Sequence, residues 1–162
     1  MVIVLMGVAG AGKTTVGSRL ADELSWQFCD GDSLHSWENI DKMKRGIPLN
    51  DEDRRSWLEE IRKVISGWVE RDANAILACS LLKQSYRKSV LEGHHRSVRV
   101  VFLKADKLLL QERLANRTGH FLNSGLLDSQ LSTLEEPDDA LMLDASDAPE
   151  HLVKQIRLAF HL

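Results

Sequence analysis

Gly7, Gly12, Lys13 and Thr14 stand at the spacing G-x-x-x-x-G-K-[ST], and that order of residue types suits a polyphosphate. Glycines let backbone N–H groups curl around phosphate oxygens. A lysine here reaches the β and γ phosphates, and the threonine hydroxyl completes the shell of a Mg²⁺ ion. Nucleotide contacts are therefore expected along Gly7, Gly10, Ala11, Gly12, Lys13, Thr14 and Thr15. A dinucleotide fingerprint fails, because G-x-G-x-x-G begun at Gly10 would need a glycine where Thr15 stands.

A phosphate loop names a donor, and the acceptor has to be sought elsewhere. The block "CDGDSLHSWENIDKMKRGIPLNDEDR" gathers Asp30, Asp32, His35, Lys42, Lys44, Arg45 and Arg54 into one excursion. Asp30 and Asp32 alternate at the end of an expected strand, so Asp30 could orient water on Mg²⁺ while Asp32 accepts a hydroxyl proton. The plainer alternative is turn chemistry, which Asp-Gly supplies routinely. Lys42, Lys44 and Arg45 read equally as a solvated helix face. Arg54 lies in a first helical turn after Asn50, where a cation opposes the helix dipole, and that misplacement favours a ligand role. Many phosphate-loop enzymes carry a metal-binding acid after the third strand; "AILACS" offers Cys79 and Ser80 there, which shifts the metal site to Thr14 and Asp30.

Further along, Lys83 and Arg87 stand one helical turn apart, facing either an acceptor or solvent. Arg113 and Arg117 have the same spacing and run into a polar stretch holding His120. A cation that stabilises the moving phosphoryl group there would contribute far more than a surface ion pair. His94 and His95 read as an exposed loop without partners at metal-ligand spacing.

These residues need a frame. Apolar runs at Val2 to Met6, Trp26 to Cys29, Ala75 to Cys79, Val98 to Leu103 and Ala140 to Leu143 have strand length and alternate with helical patterns. Val16, Leu20 and Leu24 form one helical face, as do Trp57, Ile61, Val64, Ile65 and Trp68 behind the N-cap Asn50. Further faces follow Asp106 and Pro149. Alternation of this kind predicts an α/β three-layer sandwich whose parallel sheet has five strands and is covered on both faces. Residues 31–56 and 117–137 break the alternation; the first is expected to bind the acceptor, the second to be an irregular lid.

With 162 residues, 43% of them hydrophobic, the chain 1–162 reads as a single domain. A net charge of −3 gives no reason to expect nucleic acid or a membrane surface as partner. Cys29 and Cys79 are expected reduced and buried, and the start "MVIVLMG" resembles neither signal peptide nor membrane span, so a cytoplasmic protein is expected.

Taken together, "GVAGAGKTT", "DGDSLH", "KMKRGIPLNDEDR", "ACSLLKQSYR", "ERLANRTGHF" and "LLDSQLSTLEEP" resemble the gluconokinases, small P-loop kinases built like shikimate and nucleoside monophosphate kinases. The resemblance implies a sheet order 2-3-1-4-5 and a cytosolic enzyme, often a homodimer, that uses ATP and Mg²⁺ to phosphorylate D-gluconate at its 6-hydroxyl. It implies Lys13, Asp32 and Arg117 as catalytic residues, with Arg113 on the adenine and residues 144–149 nearby. His35, Arg54, Lys83, Arg87 and His120 become acceptor contacts, and one cation should grip the carboxylate. The family segment usually reads "GDDLHP"; Ser33 and Ser36 replace its acid and proline. Two other readings are another small acid such as shikimate as acceptor, and a sensor module that binds ATP without transferring it. Shikimate kinases usually carry a triple-glycine stretch after the third strand, which "ACSLLK" lacks.

Overall fold

The computed structural model describes residues 1–116 and 124–162. Five strands form one sheet: β1 (Val2–Met6), β2 (Gln27–Asp30), β3 (Ala75–Ala78), β4 (Val98–Lys104) and β5 (Leu141–Asp144). All pairings are parallel, and the order is β2-β3-β1-β4-β5. Between them run α1 (Lys13–Leu24), α2 (Trp37–Lys44), α3 (Asp51–Glu70), α4 (Gln84–Leu91), α5 (Lys107–Ala115), α6 (Ser124–Thr133) and α7 (Pro149–Phe160).

Side chains alternate across a strand, so β1 serves two cores at once. Ile3 and Leu5 pack with Val16 and Leu20 of α1 and with Leu152, Val153 and Ile156 of α7. Val2 and Val4 face Trp57, Ile61 and Ile65 of α3 and Tyr86 and Val90 of α4. These are the three layers expected from uninterrupted apolar strands. The caps also follow the sequence: Asn50 and Asp53 form a reciprocal capping box at α3, and Asp106 accepts from the Leu109 N–H at 2.8 Å.

Three expectations need correction. Strand β2 is shifted by one residue and ends on Asp30, because Asp30 pairs in register with Ala78. The stretch expected to be irregular contains helix α6, whose Leu126 and Leu127 are buried against the core. Cys29 is only half-buried, whereas Cys79 is fully buried and its thiol is pushed up, chiefly by desolvation. No helix among the described residues is long and apolar enough to cross a membrane.

Candidate active site

A cavity of about 710 Å³ opens over the carboxyl ends of β1 and β2. That is where an open α/β sheet places ligands, since loops there diverge from the strand ends. Gly7 leaves β1 with φ +147, and a Cβ on it would stand 2.8 Å from the Leu103 carbonyl oxygen, so no side chain fits the bend. Gly12, at φ 95, turns the chain into α1, and the N-terminus of that helix faces the same hollow as Lys13, Thr14 and Thr15. The Lys13 ammonium curls back to donate to the Val8 carbonyl at 3.0 Å.

Thr14 and Asp30 meet directly: the hydroxyl donates to Oδ2 at 2.7 Å. Hydroxyl and carboxylate oxygens side by side make a hard donor pair suited to Mg²⁺, which takes few protein ligands and completes its shell with phosphate oxygens and water. The rest of Asp30 is committed as well, since Oδ1 accepts the Asp32 N–H at 3.0 Å and caps a 3₁₀ turn, Gly31–Leu34. Asp32 thus sits in a turn and not, as the alternation suggested, on extended backbone. Its carboxylate lines the cavity and is exposed.

Behind it His35 stacks on Trp57, with centroids 4.5 Å apart and planes 6° from parallel. The Trp57 indole N–H is anchored on the Gly31 carbonyl at 2.8 Å. In the sequence Trp57 looks like one more residue of a core stripe. Its second job, a platform for His35, has no local signal, because the partner lies on another element. Ser36, where the resemblance implies a proline, accepts the Asn39 N–H and caps α2, and Ser33 donates to the Asp30 carbonyl at 2.6 Å. Both replacements therefore hold the turn closed with hydrogen bonds.

Burial lowers the His35 pKa to about 4 despite the nearby Asp32. At neutral pH the ring is uncharged and can exchange hydrogen bonds without attracting an anion. The linkage has a definite sign: between about pH 4 and 6.5 the unfolded chain binds a proton that the folded chain refuses, so stability falls as pH drops through this window. Taking the protein from pH 7 to pH 4.5 should cost wild type about 1 to 2 kcal/mol more than His35→Gln, a figure already discounted for partial exposure. Urea unfolding of the two proteins at both pH values measures it.

The cations separate into two groups. Arg54 lines the cavity, donates to the Leu49 carbonyl and lies 5.9 Å from the Tyr86 ring centre. Arg113 also lines it, bridging the Ala145 carbonyl at 2.7 Å and the Gly10 carbonyl at 3.4 Å, and so ties the phosphate loop to the loop after β5. Lys83 and Arg87 are not in the cavity wall. Lys83 grips both oxygens of Asp51, at 2.7 and 2.8 Å. Arg87 is buried and donates to the Leu81 and Leu82 carbonyls at 3.1 Å each, so α4 does not present the pair to an acceptor as expected. In the basic run, Lys42 bonds Asp53 at 2.6 Å and Arg45 faces Asp41, the solvated-face reading. Arg117 and His120 lie outside the described residues. Gln130 was not anticipated: it lines the cavity, and its Oε1 accepts the Ala9 N–H at 2.7 Å. Its only sequence signal is membership of the "LLDSQ" segment. Among the described residues no group of three or more His, Cys, Asp or Glu could hold a metal.

Comparison with known proteins agrees with this layout. The family described as an AAA domain matches residues 2–137. The thermosensitive gluconokinase of Escherichia coli is 39% identical, over 96% of this chain and 85% of the relative. A gluconokinase structure from Sinorhizobium meliloti superposes with a TM-score of 0.86 at 38% identity, covering 98% of this chain and 93% of that one. A sugar kinase structure from Janibacter gives 0.88 at 40%, covering 97% and 92%.

Proposed function

The chain belongs to the gluconokinase family, and from that premise we infer that it transfers the γ-phosphoryl group of ATP to the 6-hydroxyl of D-gluconate, giving 6-phosphogluconate and ADP. One observation carries the reading: a single cavity joins the phosphate loop to Asp32, His35 and Arg54. Donor and acceptor can therefore meet in one shared space.

The steps follow from the side chains. Loop N–H groups and Lys13 hold the triphosphate, and Arg113 stands where the adenine would lie between the phosphate loop and residues 145–149. Thr14 and Asp30 would hold Mg²⁺, which neutralises phosphate charge when bound. Asp32 accepts the proton of the attacking hydroxyl as the new O–P bond forms and the bond to the ADP oxygen breaks. Hydrogen bonding supports the choice between the acids: both oxygens of Asp30 are engaged, whereas no hydrogen bond to the Asp32 carboxylate occurs among the described residues. Arg54 is the cation on the acceptor side of the cavity wall and suits the gluconate carboxylate, with His35 bonding hydroxyls. Arg117 and His120 join the reading through the family motif "NRTGHF", as does a cytoplasmic homodimer through the family resemblance.

An acceptor panel tests the assignment. In a coupled ADP-release assay, gluconate should give turnover at least about tenfold above its epimers, other sugar acids and shikimate, a margin one well-placed polar contact can supply. ATP binding with no turnover on any acid would refute it.

A further inference from the structure

We propose that Gln130 is a further residue of the phosphoryl-transfer centre, its amide N–H₂ donating to the terminal phosphate of the bound nucleotide. The inference rests on the kinase reading above and adds a donor from α6, which no part of that reading uses.

The orientation of the amide follows from its partner. A backbone N–H can only donate, so the atom facing the Ala9 N–H at 2.7 Å must be the carbonyl oxygen Oε1. The amide nitrogen is then turned away from Ala9 with two N–H donors, and no hydrogen bond from it occurs among the described residues. Ala9, Gly10, Gln130 and Ser129 all line the cavity, so those donors belong to a side chain at the rim of the phosphate loop. Donors held beside the phosphate loop by the Ala9 contact would need little rearrangement to meet charge developing there.

The side chain is also held in place. Helix α6 is anchored by Leu126 and Leu127, 6% and 1% exposed. Asp128 pairs with Lys107 at 2.8 Å on the α5 side. Beyond its other end, the Glu135 N–H donates to the Leu82 carbonyl at 2.9 Å, and the Glu135 carboxylate accepts the Gln84 N–H at 2.6 Å. Gln130 therefore projects from a braced helix onto the loop.

Two variants separate this role from simple support of Ala9. Gln130→Glu keeps an acceptor of the same shape for the Ala9 N–H but replaces the donors with negative charge; Gln130→Ala removes both. Calorimetric titration with ADP and with a non-hydrolysable ATP analogue is compared with kcat on gluconate and with the melting temperature. If the amide serves the terminal phosphate, Gln130→Glu melts within a few degrees of wild type. It then binds the analogue about 10- to 100-fold more weakly while ADP affinity stays within about threefold, and kcat falls by at least as much as in Gln130→Ala. Wild-type analogue affinity and kcat in Gln130→Glu, with loss confined to Gln130→Ala, would overturn the proposal and leave a structural pin. Failure of the kinase reading itself would appear separately, as wild-type protein that turns over no acid.

Discussion

Asp32→Asn should lower kcat by about two to three decades, or about 3 to 4 kcal/mol of barrier, while leaving KM for both substrates within a few fold. The substitution is nearly isosteric, and the interaction that shapes the turn uses the Asp32 backbone N–H, which asparagine retains. Proton acceptance and one negative charge are removed, while the turn keeps its hydrogen bond. The expected loss is toward the lower end for a general base, because phosphoryl transfer leaves most of the catalysis to positioning and electrostatics. Steady-state kinetics with single-turnover measurements isolate the chemical step. A kcat within threefold of wild type would remove Asp32 from the proton path and return the role to water.

The extent to which this centre was legible beforehand depends on how local each signal is. Gly7 to Thr15 form one continuous segment that carries the phosphate-binding residue types at fixed spacing, so spacing alone specifies the ligand class. The layers were legible for a related reason, since β1 alternates between two cores and α3 carries its stripe of Trp57, Ile61, Ile65 and Trp68. Long-range choices were not. Arg87 looks like an exposed cation one turn from Lys83, yet it is drawn inward because the Leu81 and Leu82 carbonyls turn toward it. Whether Lys83 reaches a ligand or Asp51 depends on where the start of α3 meets α4, which no sequence window contains. Helix α6 was hidden by its own composition: "SGLLDSQLST" is rich in serine and threonine and has weak helix propensity, and packing of Leu126 and Leu127 overrides it. Gln130 was hidden twice, by that helix and by a partner more than a hundred residues away.

Those displaced cations lead to the second large effect. Arg54→Met should raise KM for gluconate by about 30- to 1000-fold, corresponding to about 2 to 4 kcal/mol, with KM for ATP unchanged and kcat altered much less. The size follows from how the other candidate acceptor-side groups among the described residues are placed. His35 is neutral at working pH because burial holds its pKa near 4, Lys83 is bound to Asp51, and Arg87 is bound to main-chain carbonyls. A carboxylate on the acceptor side would then face Asp32 without the guanidinium charge to offset it. Arg54→Lys should fall between the two proteins, since an ammonium restores the charge but not the planar two-pronged contact. Such a ranking in KM, wild type below lysine below methionine, is expected only if the guanidinium touches the acid. Equal KM values for gluconate in all three would assign Arg54 to holding the Leu49 carbonyl and supporting the turn before α3, and the effect would then appear in unfolding midpoints instead.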